Sequence, residues 1–199
     1  MTWNWQQPDW PNFIYDSKAL EPLEQRFLRQ SGEFVGACKH VGPGDQETLK
    51  IELISDEAVK TSEIEGEILD RASVQSSVRQ QLGLGQEQPG VKPAERGISQ
   101  MMADLYRSYA PPLTEKVLFD WHAMLLSGDK SIQTIGGYRR HADPMQVVSG
   151  PHYKRKVHVE APPSALVPSE MKRFIAWFNS TAPGGKSPLP ALTRAGMRN

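Results

Sequence analysis

The sequence predicts a mainly α-helical fold of about six to eight helices with one β-hairpin inserted late. Three observations carry this. Apolar residues recur at helical spacing between cap and breaker residues through most of the chain. Period-two alternation is confined to Met145–Glu160. Glycine and proline cluster at 42–44, 83–93, 111–112 and 162–163, which cuts the helical stretches into separate elements.

Taken in order, residues 3–15 carry Trp3, Trp5, Trp10, Phe13 and Tyr15 around Pro8 and Pro11. The prolines bar a regular helix, so this is an extended arm that packs its aromatics onto the helices; left exposed, the same rings make a binding patch. Asp16 or Ser17 caps a helix to about Ala37, with Leu20, Leu23, Phe27, Phe34 and Val35 on one face. After Gly42-Pro43-Gly44, Leu49, Leu53 and Ile54 lead toward Ser55–Leu69, so 45–65 reads as one long helix. The alternative start is Ser55 as N-cap, with Asp56 and Glu57 in the first turn. Asp70 caps a helix over 72–82 that ends at Gly83. Residues 84–93 are the linker, which divides the chain into a helical domain 1–83 and a second domain 94–199.

Ile98, Met101, Met102, Leu105 and Tyr106 form one stripe over 94–109. Thr114 caps a helix through Leu126 in which Leu118, His122 and Leu125 share a face. No second ligand sits at metal spacing from His122, so it is a packing histidine. Met145–Ser149 and Lys156–Glu160 form the hairpin, and Val157 and Val159 alternate with Lys156, His158 and Glu160 in a half-buried pattern. Ser169 or Pro168 opens a helix over 170–178 with Met171, Phe174, Ile175 and Phe178 as its stripe. Gly185-Lys186-Ser187 has the end of a phosphate-binding loop, but Ser180 stands where that loop needs glycine and no strand precedes it. Ser187-Pro188 instead reads as N-cap and N1 of a last helix over 189–197.

Composition narrows the function. The chain has 199 residues with 23 basic and 23 acidic side chains, so it has no electrostatic footprint for nucleic acid or anionic membrane. The one cysteine, Cys38, excludes an internal disulfide and lies near the end of an apolar helical pattern, where it reads as a small buried residue. No apolar run reaches about 18 residues, and the N-terminus lacks the basic start and apolar middle of a signal peptide. A cytoplasmic protein is expected; on that basis the sequon at Asn179-Ser180-Thr181 carries no meaning.

The stretch that carries chemistry is Thr61-Ser62-Glu63-Ile64-Glu65-Gly66. Gly66 is a helix-ending glycine, so Glu65 falls on the last turn, where its carboxylate meets the negative end of the helix dipole. Glutamates at 63, 65 and 67 also fit an ordinary solvated face. The segment resembles the inhibitory motif of Fic proteins, Ser/Thr-x-x-x-Glu-Gly/Asn, with Thr61, Glu65 and Gly66 on the matching positions. The order of the following elements resembles the N-terminal half of a Fic domain: W-H-A-M-L-L, G-G-Y-R, a hairpin ending V-H-V-E-A-P-P, and M-K-R-F-I-A-W-F-N. The aromatic start and first helices look like the uncharacterised domain often fused ahead of Fic domains.

The resemblance implies a Fic-like helical bundle behind a small helical N-terminal domain, and an adenylyltransferase (AMPylation) function: AMP transfer from ATP to a protein hydroxyl. It implies Thr61, Ser62, Glu65 and Gly66 as the autoinhibitory motif. It implies Gln146, Val147, Val148, Lys156, Val157, His158 and Val159 as the flap, which holds a target polypeptide as an added strand. The implied cofactors are ATP and Mg, the implied partners a target protein segment, a second copy, or a separate Fic domain. One departure is decisive: His-x-Phe-x-Asp/Glu-Gly-Asn-Gly-Arg-x-x-Arg is absent from these residues. No catalytic residue is therefore assigned, neither ATP nor Mg is expected to be held competently, and the chain reads as a truncated, inactive Fic-type enzyme. The other readings are a binding module that donates Glu65 in trans, as antitoxin chains do in this family, and an unrelated helical adaptor. Without the central catalytic helix, apolar faces around Leu118, Phe174 and Leu192 are expected to lie open.

Overall fold

The computed structural model describes residues 2–12 and 14–197; Phe13 of the aromatic arm lies outside them. The protein is mainly helical with one two-stranded antiparallel hairpin. In order the elements are α1 (Ser17–Cys38), α2 (Pro43–Ile64), α3 (Arg71–Gln81), α4 (Pro93–Ser108), α5 (Glu115–Leu126), β1 (Gln146–Ser149), β2 (Lys156–Glu160), α6 (Val167–Ser180) and α7 (Ala191–Gly196). The chain divides into two compact units, one running from Phe34 to Gly137, the other joining residues up to Glu33 with Tyr138 onward.

The Phe34–Gly137 unit holds the hydrophobic core. Ile51, Ile54 and Ala58 of α2 meet Val74 and Val78 of α3 and Ile98 and Met102 of α4. The spacing within each helix places these side chains on one stripe, so three helices bury three stripes together. Gly42 caps α2 with Pro43 at its first position, so the long helix forms. Ser55 is consequently not an N-cap: it is fully buried, and its Oγ donates to the Ile51 carbonyl at 2.7 Å. A serine inside a helix has no orphan N–H to cap, so its hydroxyl turns back one turn.

Two cross-links fix α3 and α4. Asp70 accepts the Ser73 N–H at 2.8 Å as the N-cap of α3, as its position indicates. Its own N–H donates to Glu95 Oε1 at 3.2 Å, while Glu95 Oε2 accepts the Lys92 N–H at 2.8 Å. Glu95 is only 1% exposed, so one buried carboxylate caps its own helix and pins the start of another. The stretch 84–93, expected as a linker, lies inside this unit. There Glu87 accepts from Ser77 Oγ at 2.8 Å and from Arg96, and the Gln88 N–H donates to Ser76 Oγ. Beyond it, Thr114 caps α5 through the Val117 N–H, and His122 Nδ1 accepts the Gly136 N–H at 2.9 Å, a packing role. Cys38 is half-buried rather than fully inside, because it sits at the last residue of α1.

In the other unit, the Trp5 indole donates to the Glu160 carbonyl at 2.8 Å and the Trp10 indole to Glu170 Oε2 at 3.2 Å. The aromatic arm is thus fastened to the end of β2 and the start of α6. Glu24 of α1 is buried and accepts the Thr193 N–H at 2.7 Å, joining α1 to the first turn of α7. Burial works against its charge, but the N–H groups of Thr193 and Leu192 outweigh that and hold its pKa below the ordinary value. The apolar stripe of α1, expected to be buried, stays largely open: Leu23 is 42% and Phe27 39% exposed. Helical period fixes which side chains share a face, not whether another element covers it.

The last two helices start elsewhere than expected. α6 begins at Val167, with Pro168 in its first turn, and α7 only at Ala191 behind Pro190. Ser187 is not its cap; the Ser187 and Leu189 N–H groups bond the Ser180 and Thr181 carbonyls at 2.9 and 3.1 Å. Residues 187–189 are therefore drawn back along the end of α6. Leu118 and Phe174 are half-buried and Leu192 is exposed.

Candidate functional site

The regulatory candidate is the C-terminal end of α2. The Glu67 N–H donates to the Ser62 carbonyl at 2.8 Å and the Gly66 N–H to the Glu63 carbonyl at 3.1 Å. With Gly66 at φ +87°, these bonds make a complete Schellman ending. Only glycine enters that backbone region without a Cβ penalty, so the glycine of the motif is what lets the helix stop here. Thr61 Oγ1 donates to the Glu57 carbonyl at 2.7 Å and is exposed, and Ser62 is half-buried. Glu63 pairs with Lys60 at 3.0 Å on the surface.

Glu65 is the cap residue itself, with φ −81° and ψ 1°. Its carboxylate is exposed and has no hydrogen-bond or ion-pair partner among the described residues. It stands where the last carbonyls of α2 make the local field negative, so it is held against its electrostatic preference. Such an anion is unsatisfied by its own helix and gains from an external cation. Leu69 packs against the core just beyond, and Asp70 is fixed to Glu95, so the turn is anchored on both sides.

The second candidate is the hairpin. Gln146 pairs with Glu160, Val147 with Val159, Val148 with Val157 and Ser149 with Lys156. The register shifts between Val147 and Val148, which leaves His158 as an extra residue on β2, a β-bulge. Paired residues share a face, and neighbours on β1 alternate, so Val157 and Val159 end on opposite faces. Accordingly Val157 is half-buried and Val159 is 52% exposed, which corrects the expectation that both sit inward. His158 Nε2 meets Ser149 Oγ at 2.6 Å across the bulge, and Gln146 Nε2 donates to Glu160 Oε2 at 2.7 Å. Lys156 and Val148 are exposed, the latter at 39%, and Val147 is 61% exposed. Among the described residues the sheet has two strands, so no strand pairs with the outer edge of β1, whereas on β2 the Glu160 carbonyl is already taken by the Trp5 indole; an edge without a strand is the requirement for adding a third.

Arg139 was not singled out by spacing. It follows Tyr138 in the glycine turn, and its Nη2 donates to the Pro162 carbonyl, which ties the residues before β1 to those after β2. The turn motif G-G-Y-R was its only signal. The two candidates fall in different compact units, the helix-end turn in one and the hairpin in the other.

Among the described residues no group of three or more His, Cys, Asp or Glu side chains is placed to hold a metal ion. Residues 3–84 match the model of a family described as a domain of unknown function, DUF4172. That match spans α1 to α3 and contains Thr61–Gly66 and its Schellman ending; the hairpin lies outside it. No curated protein matches the chain. Among the described residues no helix is long and apolar enough to cross a membrane.

Proposed function

We propose that these residues are the regulatory and target-docking portion of a Fic-type protein adenylyltransferase, and that they carry no AMP-transfer activity by themselves. The observation that carries this is the end of α2. A glutamate at the inhibitory-motif position is presented, exposed and with no partner among the described residues, by a glycine-terminated, hydrogen-bonded turn. The DUF4172 match over residues 3–84 supports the reading, since that domain is associated with Fic-like proteins. The hairpin supports it with the outer edge of β1, where no strand pairs among the described residues and an extended polypeptide could add. In this account Glu65 engages a cationic phosphate-binding group of a catalytic motif and keeps a nucleotide from seating productively. Transfer of AMP requires a base, a metal ligand and a phosphate cradle, and the motif that supplies all three is not among the 199 residues.

A second reading is that Glu65 is donated in trans to a separate Fic domain; the exposed carboxylate, with no cation paired to it among the described residues, favours it. One assay serves both. With labelled ATP, the chain alone is expected to modify nothing. Added to a Fic AMP transferase that has no inhibitory motif of its own, it lowers transfer, and the Glu65→Gly variant does not. Label incorporated by the chain alone, or equal effects of wild type and Glu65→Gly, would overturn the reading.

A further inference from the structure

The chain is neutral overall, but charge is spread unevenly along the hairpin. The turn that joins the strands carries Lys154 and Arg155, and Lys156 opens β2 opposite Ser149, the last residue of β1. All three are exposed, and none has an ion-pair partner among the described residues. At the open end, flanked by Arg139, Arg140, Asp143 and Glu160, the signs are mixed. The backbone beneath the cations is ordered. Gly150 takes φ +90°, a Cβ there would meet the Lys154 carbonyl at 2.6 Å, and the Lys154 N–H donates to the Pro151 carbonyl at 2.8 Å.

The two outer edges differ as well. The Ala161 N–H donates to the Met145 carbonyl at 2.8 Å, so by alternation the backbone groups of Gln146 and Val148 face away from β2. On β2 the bulge at His158 interrupts that alternation, and the Trp5 indole holds the Glu160 carbonyl. The regular, uncapped edge is that of β1.

We infer that the hairpin turn selects acidic targets: the polypeptide that adds along β1 carries aspartate or glutamate where it passes Lys154, Arg155 and Lys156. A strand added there runs about 5 Å from β1 and about 10 Å from β2, close to the Debye length of about 8 Å at physiological salt. Main-chain bonds along an edge are the same for every sequence, whereas the cations attract an anionic end and repel a cationic one. They also set which end of the target meets the turn. Acidic selection rests on the docking reading of the hairpin and adds the chemical class of the segment docked.

The test follows the backbone amides of the whole 15N-labelled chain by NMR during titration with extended Thr/Val peptides that end in glutamates, glutamines or lysines. The glutamate peptide is expected to shift the Gln146 and Val148 amides and to bind at least about tenfold tighter than the glutamine peptide at low salt, the gap closing at about 1 M salt. The lysine peptide binds weakest. Lys154→Gln, Arg155→Gln and Lys156→Gln combined removes the preference with unaltered melting, since all three side chains are exposed. The salt dependence of the wild-type chain decides the matter independently of that variant. Equal binding of the glutamate and glutamine peptides refutes acidic selection and leaves the hairpin as a docking edge. No shift at β1 with any peptide overturns both. Binding of phosphatidylserine vesicles or a DNA oligonucleotide at the turn, without response to the glutamate peptide, likewise refutes an acidic polypeptide as the occupant.

Discussion

Gly66 holds φ +87° in open space, with nothing within 4 Å of where a Cβ would sit, so a substitution there is opposed by backbone conformation alone. Gly66→Ala is expected to lower stability by about 1 kcal/mol, measurable as a reduced midpoint in urea, with Gly66→Asn closer to wild type. An alanine variant as stable as the parent would mean the helix ends by some other device. Caps of this local kind were legible in the sequence: Gly66, Asp70 and Thr114 each act within a few residues of themselves. Ser55 has the residue type of a cap without the position, because serine caps only where a helix begins and α2 begins at Pro43. Glu95 and Glu24 were invisible because their partners are distant in sequence, Asp70 for one and Thr193 for the other.

Among elements, α4 and α5 approach closely at a glycine. A Cβ on Gly97 would lie 2.2 Å from the Met124 carbonyl oxygen. Alanine is the better helix former by about 1 kcal/mol, yet displacing a neighbouring helix backbone costs about 1–3 kcal/mol. Gly97→Ala is therefore expected to destabilise the protein by a net amount of up to about 2 kcal/mol, read from chemical denaturation. A gain in stability would show that the two helices part without loss. The hairpin carries a parallel lesson. Its two strands were legible from alternation and flanking glycine and proline, but the bulge at His158 was not, and that one extra residue turns Val159 to the outside. The start of α7 likewise follows backbone hydrogen bonds from Ser187 and Leu189 back to Ser180 and Thr181, which no local pattern announces.

At the scale of the whole molecule, carboxylates bind the elements together. Arg71 and Gln75 lower the pKa of Glu52, the Ser73 N–H lowers that of Asp70, and Arg96 lowers that of Glu87. In the other unit the N–H groups at α7 do the same for Glu24. Each folded value lies below the unfolded one, so the contribution is present above the unfolded pKa and is lost as pH falls through the folded pKa. The melting temperature is expected to hold from neutral pH down to about 5 and to drop below about 4, the ordinary carboxylate range. A flat profile to pH 3 would remove these bonds from the stability of the fold.

Helix and strand identity, the main breaks and the glycine-ended glutamate turn were determined by sequence alone, because each arises from interactions among residues a few positions apart. Tertiary structure alone decided which stripes are covered, where Glu95 and Glu24 are spent, and that Glu65 has no partner among the described residues. Those outcomes depend on what distant segments bring alongside, and periodicity within a segment carries no information about that.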